Sequence, residues 1–184
     1  MAPPARHARI FWIAALLVIV CDIASKALAV RRLTPPHVPH RIIGDVVRFT
    51  LAYNPGAAFS MSLGTYSRVV FGGFAVIALV ILWWLYRASA PAERLRVLAL
   101  GLCWGGAAGN LIDRLKSGRG VVDFVDIGVG NVRFWTFNVA DSAVTCGAFL
   151  LAWVLWQEER QIAEMKRGAG SSEEAAFREP GQAT

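Results

Sequence analysis

The chain has 184 residues, of which 55% are hydrophobic and 17% are charged, and its formal net charge is +6. So large an apolar fraction is typical of membrane proteins and argues against an ordinary soluble domain. The positive charge does not indicate nucleic-acid binding, because no basic run is interleaved with aromatic residues. It fits loops that face anionic lipid headgroups.

Four apolar stretches each come close to the ~20 residues that cross a hydrocarbon layer as a helix. They cover residues 10–30, 69–86, 97–112 and 138–157. We therefore predict a single integral membrane domain over residues 1–160, followed by a polar, disordered cytosolic tail over 161–184. The three cysteines all lie within the predicted spans without a metal-ligand spacing, so we predict that they pack as small apolar residues.

The first span carries two charged residues, Asp22 and Lys26. They are four residues apart and therefore share one helix face. Two interpretations remain open: a buried ion pair that only holds helices together, or a pair that shapes a functional site.

The connection between the first two spans, residues 31–66, is predicted to be external. Residues 47–53 alternate apolar and polar side chains, which predicts a half-buried strand. The following Asn54-Pro55-Gly56 predicts a turn, for which Asn54 is a common residue.

The connection between the last two spans, residues 115–137, is also predicted to be external. Its β-prone run begins at residue 121 and carries Asp123. It turns at Gly130-Asn131 and returns through Phe137, which predicts a hairpin.

Helix geometry places polar residues of three spans at a similar depth. With a rise of ~1.5 Å per residue from the inner helix ends, Asp22 and Asn110 lie roughly 20 Å up, and Asp113 and Asp141 roughly 26 Å up. Both termini are predicted to be cytosolic. The sequence thus predicts one polar site near the outer edge of the membrane.

Three chemistries fit this set of acids and amides. Asp123 and Asp141 would serve an aspartyl hydrolase if they share a proton, since one would activate water while the other protonates a carbonyl oxygen. Asp123 and Asp126 would bind magnesium in a lipid phosphotransferase, although three residues apart on a strand they would not share a face. The third possibility is a proton or ion path.

Five motifs in order along the chain resemble those of lipoprotein signal peptidase (signal peptidase II), the bacterial membrane aspartyl protease. The resemblance extends over roughly residues 10–157. The motifs are Asp22-x-x-x-Lys26, Asn54-Pro55-Gly56-Ala57-Ala58-Phe59, Gly109-Asn110-Leu111-Ile112-Asp113-Arg114, Val121-Val122-Asp123-Phe124 and Phe137-Asn138-Val139-Ala140-Asp141-Ser142.

The resemblance implies a role for each matched residue. Asp123 and Asp141 would be the catalytic dyad, with no cofactor and no metal. The implied supporting residues, which position the substrate and the dyad or hold the site together, are Asn54, Asn110, Arg114, Asn138, Asp22 and Lys26.

The resemblance also implies a fold and a function. The fold would be mainly α, with four transmembrane helices and a small external β-cradle, in the bacterial inner membrane with the active site toward the outer face. The enzyme would remove signal peptides from prolipoproteins, on the amino side of a cysteine that carries diacylglycerol. Its other partners would be membrane lipids, without nucleic acid and with no oligomer implied. We also expect the small residues of the third span, such as Gly105, to let the substrate's helix approach closely.

Overall fold

The structure, a computed structural model, describes residues 5–56, 66–90 and 92–178. Within these residues the chain forms four long helices and four strands. The helices are α1 (Ala5–Arg32), α2 (Ser67–Ala88), α3 (Arg94–Lys116) and α4 (Val139–Arg178). The strands are β1 (His40–Ile43), β2 (Val47–Asn54), β3 (Val121–Val129) and β4 (Val132–Arg133).

All four helices are long and apolar enough to cross a membrane. The qualifying segments are His7–Arg32, Ser67–Ala88, Arg94–Lys116 and Val139–Arg167. Each contains one predicted span, apart from the first residue of the fourth, so the predicted fold class is confirmed. The helices are longer than the predictions because polar flanking residues continue them.

The predicted disordered tail is wrong over residues 161–178, because α4 continues through them as helix to Arg178. The stretch has few large hydrophobic residues, but alanine, glutamate and arginine, which are strong helix formers, recur in it. A helix that is already nucleated in the membrane can therefore extend through them. Residues 179–184 lie outside the described part of the chain.

Helix α3 is the centre of the bundle and packs against α1, α2 and α4. Its glycines allow the close approach: a Cβ on Gly101 would lie 2.8 Å from the Phe11 carbonyl oxygen, and one on Gly105 would lie 2.7 Å from that of Ala15. The predicted close packing is therefore confirmed. The expectation that a substrate helix uses this surface is wrong, because α1 and α4 already cover it.

The strands form one antiparallel sheet in the order β1-β2-β3-β4. The predicted strand corresponds to β2. The predicted hairpin corresponds to β3 and β4, which turn at Gly130 with a positive φ of 55°. Strand β1 was not predicted, because all four of its residues are exposed and give no alternating pattern.

Pairing of β2 with β3 brings the two interhelical connections together at one end of the bundle. The sheet rests on the end of α1 through a small apolar core. Leu51 of β2 is fully buried there, and it packs with Val122 and Phe124 of β3 against Ala29 and Leu33. This core fixes β3, and with it Asp123, above the helix ends.

Candidate active site

The sequence-predicted site residues come together where α1, α3 and α4 meet strand β3. Asp22 and Lys26 lie on α1, Asn110 and Arg114 on α3, and Asp141 on α4. The remaining three, Asn54, Asp123 and Asn138, lie on β2, on β3 and directly before α4. One connected network of hydrogen bonds and charge contacts includes all eight.

Asn138 is the bridge between the two predicted catalytic aspartates, and its side chain is fully buried. Its Nδ2 donates to Asp123 Oδ1 at 2.7 Å and also contacts Asn110 Oδ1 at 3.2 Å. Asn110 in turn donates from its Nδ2 to Asp141 Oδ1 at 2.7 Å. The two amides therefore hold both carboxyl groups, one from a strand and one from a helix.

Asp141 is further fixed by a reciprocal cap at the start of α4. The backbone N–H of Asp141 donates to Asn138 Oδ1 at 3.0 Å, and the backbone N–H of Asn138 donates to Asp141 Oδ2 at 3.1 Å. This is a capping box, in which two otherwise unpaired donors of the first helical turn are satisfied.

Asp123 lies on β3, opposite Ala52 of β2, and its side chain is only 2% exposed. Burial raises the pKa of its carboxyl group, and so does the nearby charge of Asp141, whereas hydrogen bonds from Asn138 and Asn54 lower it; together they bring the pKa to about 7. The same Asn54 caps the predicted turn, since its Oδ1 accepts from the Gly56 N–H at 3.0 Å. Asp123 therefore keeps its proton to a higher pH than an ordinary aspartate does.

Lys26 is the cation that supports the site from α1. Its Nζ lies 2.7 Å from Asp22 Oδ2 and 2.9 Å from Asp113 Oδ2, and it donates to Asn110 Oδ1 at 2.9 Å. Asp22 Oδ1 also accepts the backbone N–H of Ala140 at 2.9 Å. The Asp22–Lys26 pair therefore joins α1 to α3 and α4 and also contacts Asn110, and its part in shaping a functional site stays a prediction.

Arg114 joins α3 to the turn that follows β2. Its Nη2 donates to the carbonyl oxygen of Gly56 at 2.9 Å, and its Nη1 donates to that of Asn110 at 3.2 Å. Its guanidinium also interacts electrostatically with Asp141 and Asp123. The rest of the predicted turn motif, residues 57–59, lies outside the described residues.

The predicted site omitted one residue that the structure places in it, Asp113. Its Oδ2 accepts the backbone N–H of Val122 at 3.1 Å as well as contacting Lys26. It thereby ties α3 to the strand residue next to Asp123. Asp113 follows Asn110 by three residues on the same helix and was placed in the predicted polar layer by its depth, which was the signal for including it among the supporting residues.

The structure does not assemble the magnesium site considered from the sequence. Asp126 points into a different network, where its carboxylate contacts Arg133 Nε at 2.5 Å and Thr50 Oγ1 at 3.1 Å. Asp123 and Asp126 therefore have separate partners, as the alternation of a strand requires. The ammonium group of Lys26 occupies the position between the carboxylates of Asp22 and Asp113.

The fold and the site together define a multi-pass membrane protein with two aspartates, the buried Asp123 and the half-buried Asp141, at one end of its helix bundle. A family model described as signal peptidase (SPase) II matches residues 14–157, which is well over half of the chain. The chain belongs to the signal peptidase II family and is a protease of that type.

Individual relatives and a solved structure agree with the family. The chain is 42% identical over 156 residues to a lipoprotein signal peptidase of Mycolicibacterium smegmatis, covering 82% of this chain and 62% of that protein. It is 42% identical over 146 residues to one of Cupriavidus necator, covering 77% of this chain and 81% of that protein. A bacterial membrane enzyme solved by the in meso method at 2.3 Å resolution superposes with a TM-score of 0.72 and 28% identity, covering 80% of this chain and 87% of that one. Nothing in these relatives supports the lipid phosphotransferase.

Proposed function

We propose that this chain cleaves signal peptides from prolipoproteins by aspartic catalysis, with Asp123 and Asp141 as the catalytic pair. The observation that carries the proposal is the Asn138 bridge, which holds a buried, proton-retaining carboxyl group beside a second carboxyl group that is capped at a helix start. Such unequal surroundings suit two acids to opposite roles in one reaction.

Each aspartate then has a defined part in the hydrolysis. Asp141, in its ionised form, takes a proton from a water molecule whose oxygen attacks the scissile carbonyl carbon, while Asp123 gives its proton to the carbonyl oxygen. When the carbon–nitrogen bond breaks, the leaving nitrogen takes the proton from Asp141. A proton of the gem-diol returns to Asp123 as the carbonyl reforms, and the pair is restored.

The remaining network residues support this pair. Asn138 and Asn110 hold the two carboxyl groups, and Asn54 donates to Asp123 from the sheet. Arg114 fastens the turn after β2 to α3, and the Asp22–Lys26 pair holds Asn110 from below. None of these needs to exchange a proton with the substrate.

We further propose that the substrate carries diacylglycerol on the cysteine that follows the cleaved bond. The acyl chains of such a cysteine stay in the bilayer, which holds its peptide bond at the level of the headgroups. The aspartate pair lies at one end of the bundle, where the helices give way to the sheet. A site at that depth meets such a peptide bond without drawing the lipid out of the membrane, and the surrounding lipids are its other partners.

The pH profile of cleavage tests the proposed chemistry. With purified full-length protein and a diacylglyceryl-modified prolipoprotein, we expect a bell-shaped profile whose alkaline limb lies near pH 7, because deprotonated Asp123 cannot protonate the carbonyl oxygen. Above that limb the rate should fall about tenfold per pH unit. The two limbs report the pair, not each residue alone.

The raised pKa of Asp123 also makes the stability of the folded protein depend on pH. Because folding raises the pKa of Asp123 above its ordinary 3.8, this group stabilises the folded state fully below pH about 4, and that stabilisation is lost as the pH rises through about 7.

Addition of a chelator should leave cleavage unchanged. Loss of cleavage in chelator, restored by magnesium, would overturn the aspartic mechanism.

We also propose that the enzyme lies in the bacterial inner membrane with both termini in the cytosol and the sheet on the outer side. Gly118→Cys in the β3 connection and Glu164→Cys on exposed α4 test this orientation; a Cβ at Gly118 meets no atom within 4 Å. In spheroplasts, an impermeant maleimide should label position 118 directly and position 164 only after lysis. The reverse pattern would contradict the orientation. The background is a variant with the natural cysteines, Cys21, Cys103 and Cys146, replaced by serine.

A further inference from the structure

A groove of about 320 Å³ opens between α1 and α3, at the end of the bundle that carries the sheet. Its volume is in the range of small-molecule sites. Asp123 and Asp141 are not among its lining residues, so it is separate from the proposed catalytic pair.

One wall of the groove is apolar and faces the membrane. Ile23, Ala27 and Val30 form it on α1, with the spacing of a single helix face, and Ile112 completes it on α3. Ile23 lies roughly 12 Å deeper along α1 than Arg31. The wall therefore runs from the headgroup level into the hydrocarbon.

The rim of the groove is basic. Arg31 and Lys116 line it from the last turns of α1 and α3, and both side chains are exposed. Neither forms an ion pair or a side-chain hydrogen bond with any residue in the described part of the chain. Lys26 at the floor is shared between Asp113 at 2.9 Å and Asp22 at 2.7 Å, so Arg31 and Lys116 are the two cations of the lining without protein counter-ions.

We propose that this groove binds one anionic phospholipid, with its phosphate between Arg31 and Lys116 and an acyl chain along the apolar wall. Two uncompensated cations above an apolar strip match a negatively charged headgroup above a hydrocarbon chain. A zwitterionic lipid fits less well, because its own cation would meet the same two positive groups.

Lipid binding to the purified full-length protein tests the proposal without reference to catalysis. The protein in neutral detergent is titrated with dioctanoyl phosphatidylglycerol or dioctanoyl phosphatidylcholine, and bound lipid is counted by native mass spectrometry. Each cation should contribute about fivefold to the affinity, so the double variant Arg31→Gln with Lys116→Gln should weaken phosphatidylglycerol binding by roughly 25-fold. Phosphatidylcholine binding should change little.

Two further variants separate this site from general surface attraction. Arg32→Gln with Arg41→Gln removes the same charge from exposed residues outside the groove lining, and it should leave phosphatidylglycerol binding unchanged. Ala27→Trp fills the apolar wall without changing charge, and it should weaken binding. Equal losses in both double variants, or equal wild-type affinity for the two lipids, would overturn the proposal. Because all four side chains replaced in the two double variants are exposed, both variants are expected to unfold at the wild-type temperature.

Discussion

Replacing Asp123 with asparagine should abolish prolipoprotein cleavage, with a fall in kcat of roughly 10⁴-fold, the upper end of what one positioned acid–base group contributes. Asparagine keeps an oxygen that can accept from Asn138 Nδ2, so the bridge can survive while the transferable proton is lost. Asp141→Asn should be equally inactive. Its effect is harder to interpret, because both carboxylate oxygens of Asp141 accept hydrogen bonds, whereas an asparagine side chain has only one acceptor oxygen.

Asp126→Asn is the matched control for this experiment. Asp126 lies on the same strand, is 6% exposed against 2% for Asp123, and is held by Arg133 in place of Asn138. We expect this variant to lose stability but to keep most of its turnover.

Asn138→Ala and Arg114→Ala should fall between the inactive Asp123→Asn and the active Asp126→Asn, with weakened but measurable cleavage. Full activity in either dyad variant would refute the assignment of the pair.

Replacing Lys26 with methionine should produce the largest loss of stability, about 3–5 kcal/mol, because it leaves buried carboxylates without their cation. Asp22 is fully buried and Lys26 is 4% exposed, so water cannot replace the missing charge. The same change frees Asn110 Oδ1 from its strongest donor, and cleavage should fall as well. Thermal unfolding in detergent measures the first effect, and kcat measures the second.

Two controls test whether the loss of stability in Lys26→Met comes from leaving buried carboxylates without a cation. Adding Asp22→Asn to Lys26→Met removes a charge of each sign, and the double variant should recover part of the lost stability. Arg96→Gln removes partly exposed ion pairs with Glu93 at 3.3 Å and Glu158 at 3.7 Å, at the other end of α3, and it should cost less than about 1 kcal/mol. A Lys26→Met protein as stable as the wild type would show that the cation does not hold the bundle together.

Much of the site was predictable because helix geometry converts sequence position into depth. Asp22, Asn110 and Asp141 lie on three helices that are measured from the same side, and counting residues placed them in one layer. Alternation of side chains predicted β2, and the glycine at position 130 predicted the turn between β3 and β4. These features depend on local geometry, which the sequence carries directly.

What could not be predicted depends on contacts between distant segments. The position of Lys26 between Asp22 and Asp113 requires the register of α1 against α3, which no local pattern encodes. The Asn138 bridge requires β3 to dock beside the start of α4. Strand β1 gives no signal because it is an exposed edge, and the polar end of α4 was misjudged because low hydrophobicity argues against a core, not against a helix.

The capping box at the start of α4 has a consequence for the biogenesis of the enzyme. Residues Asn138 and Asp141 are positioned by four consecutive residues, so this half of the pair can form as soon as α4 becomes helical. Asp123 reaches its place only when β2 and β3 pair, and those strands come from opposite halves of the chain. We therefore expect a newly made chain to lack cleavage activity until β2 and β3 have paired.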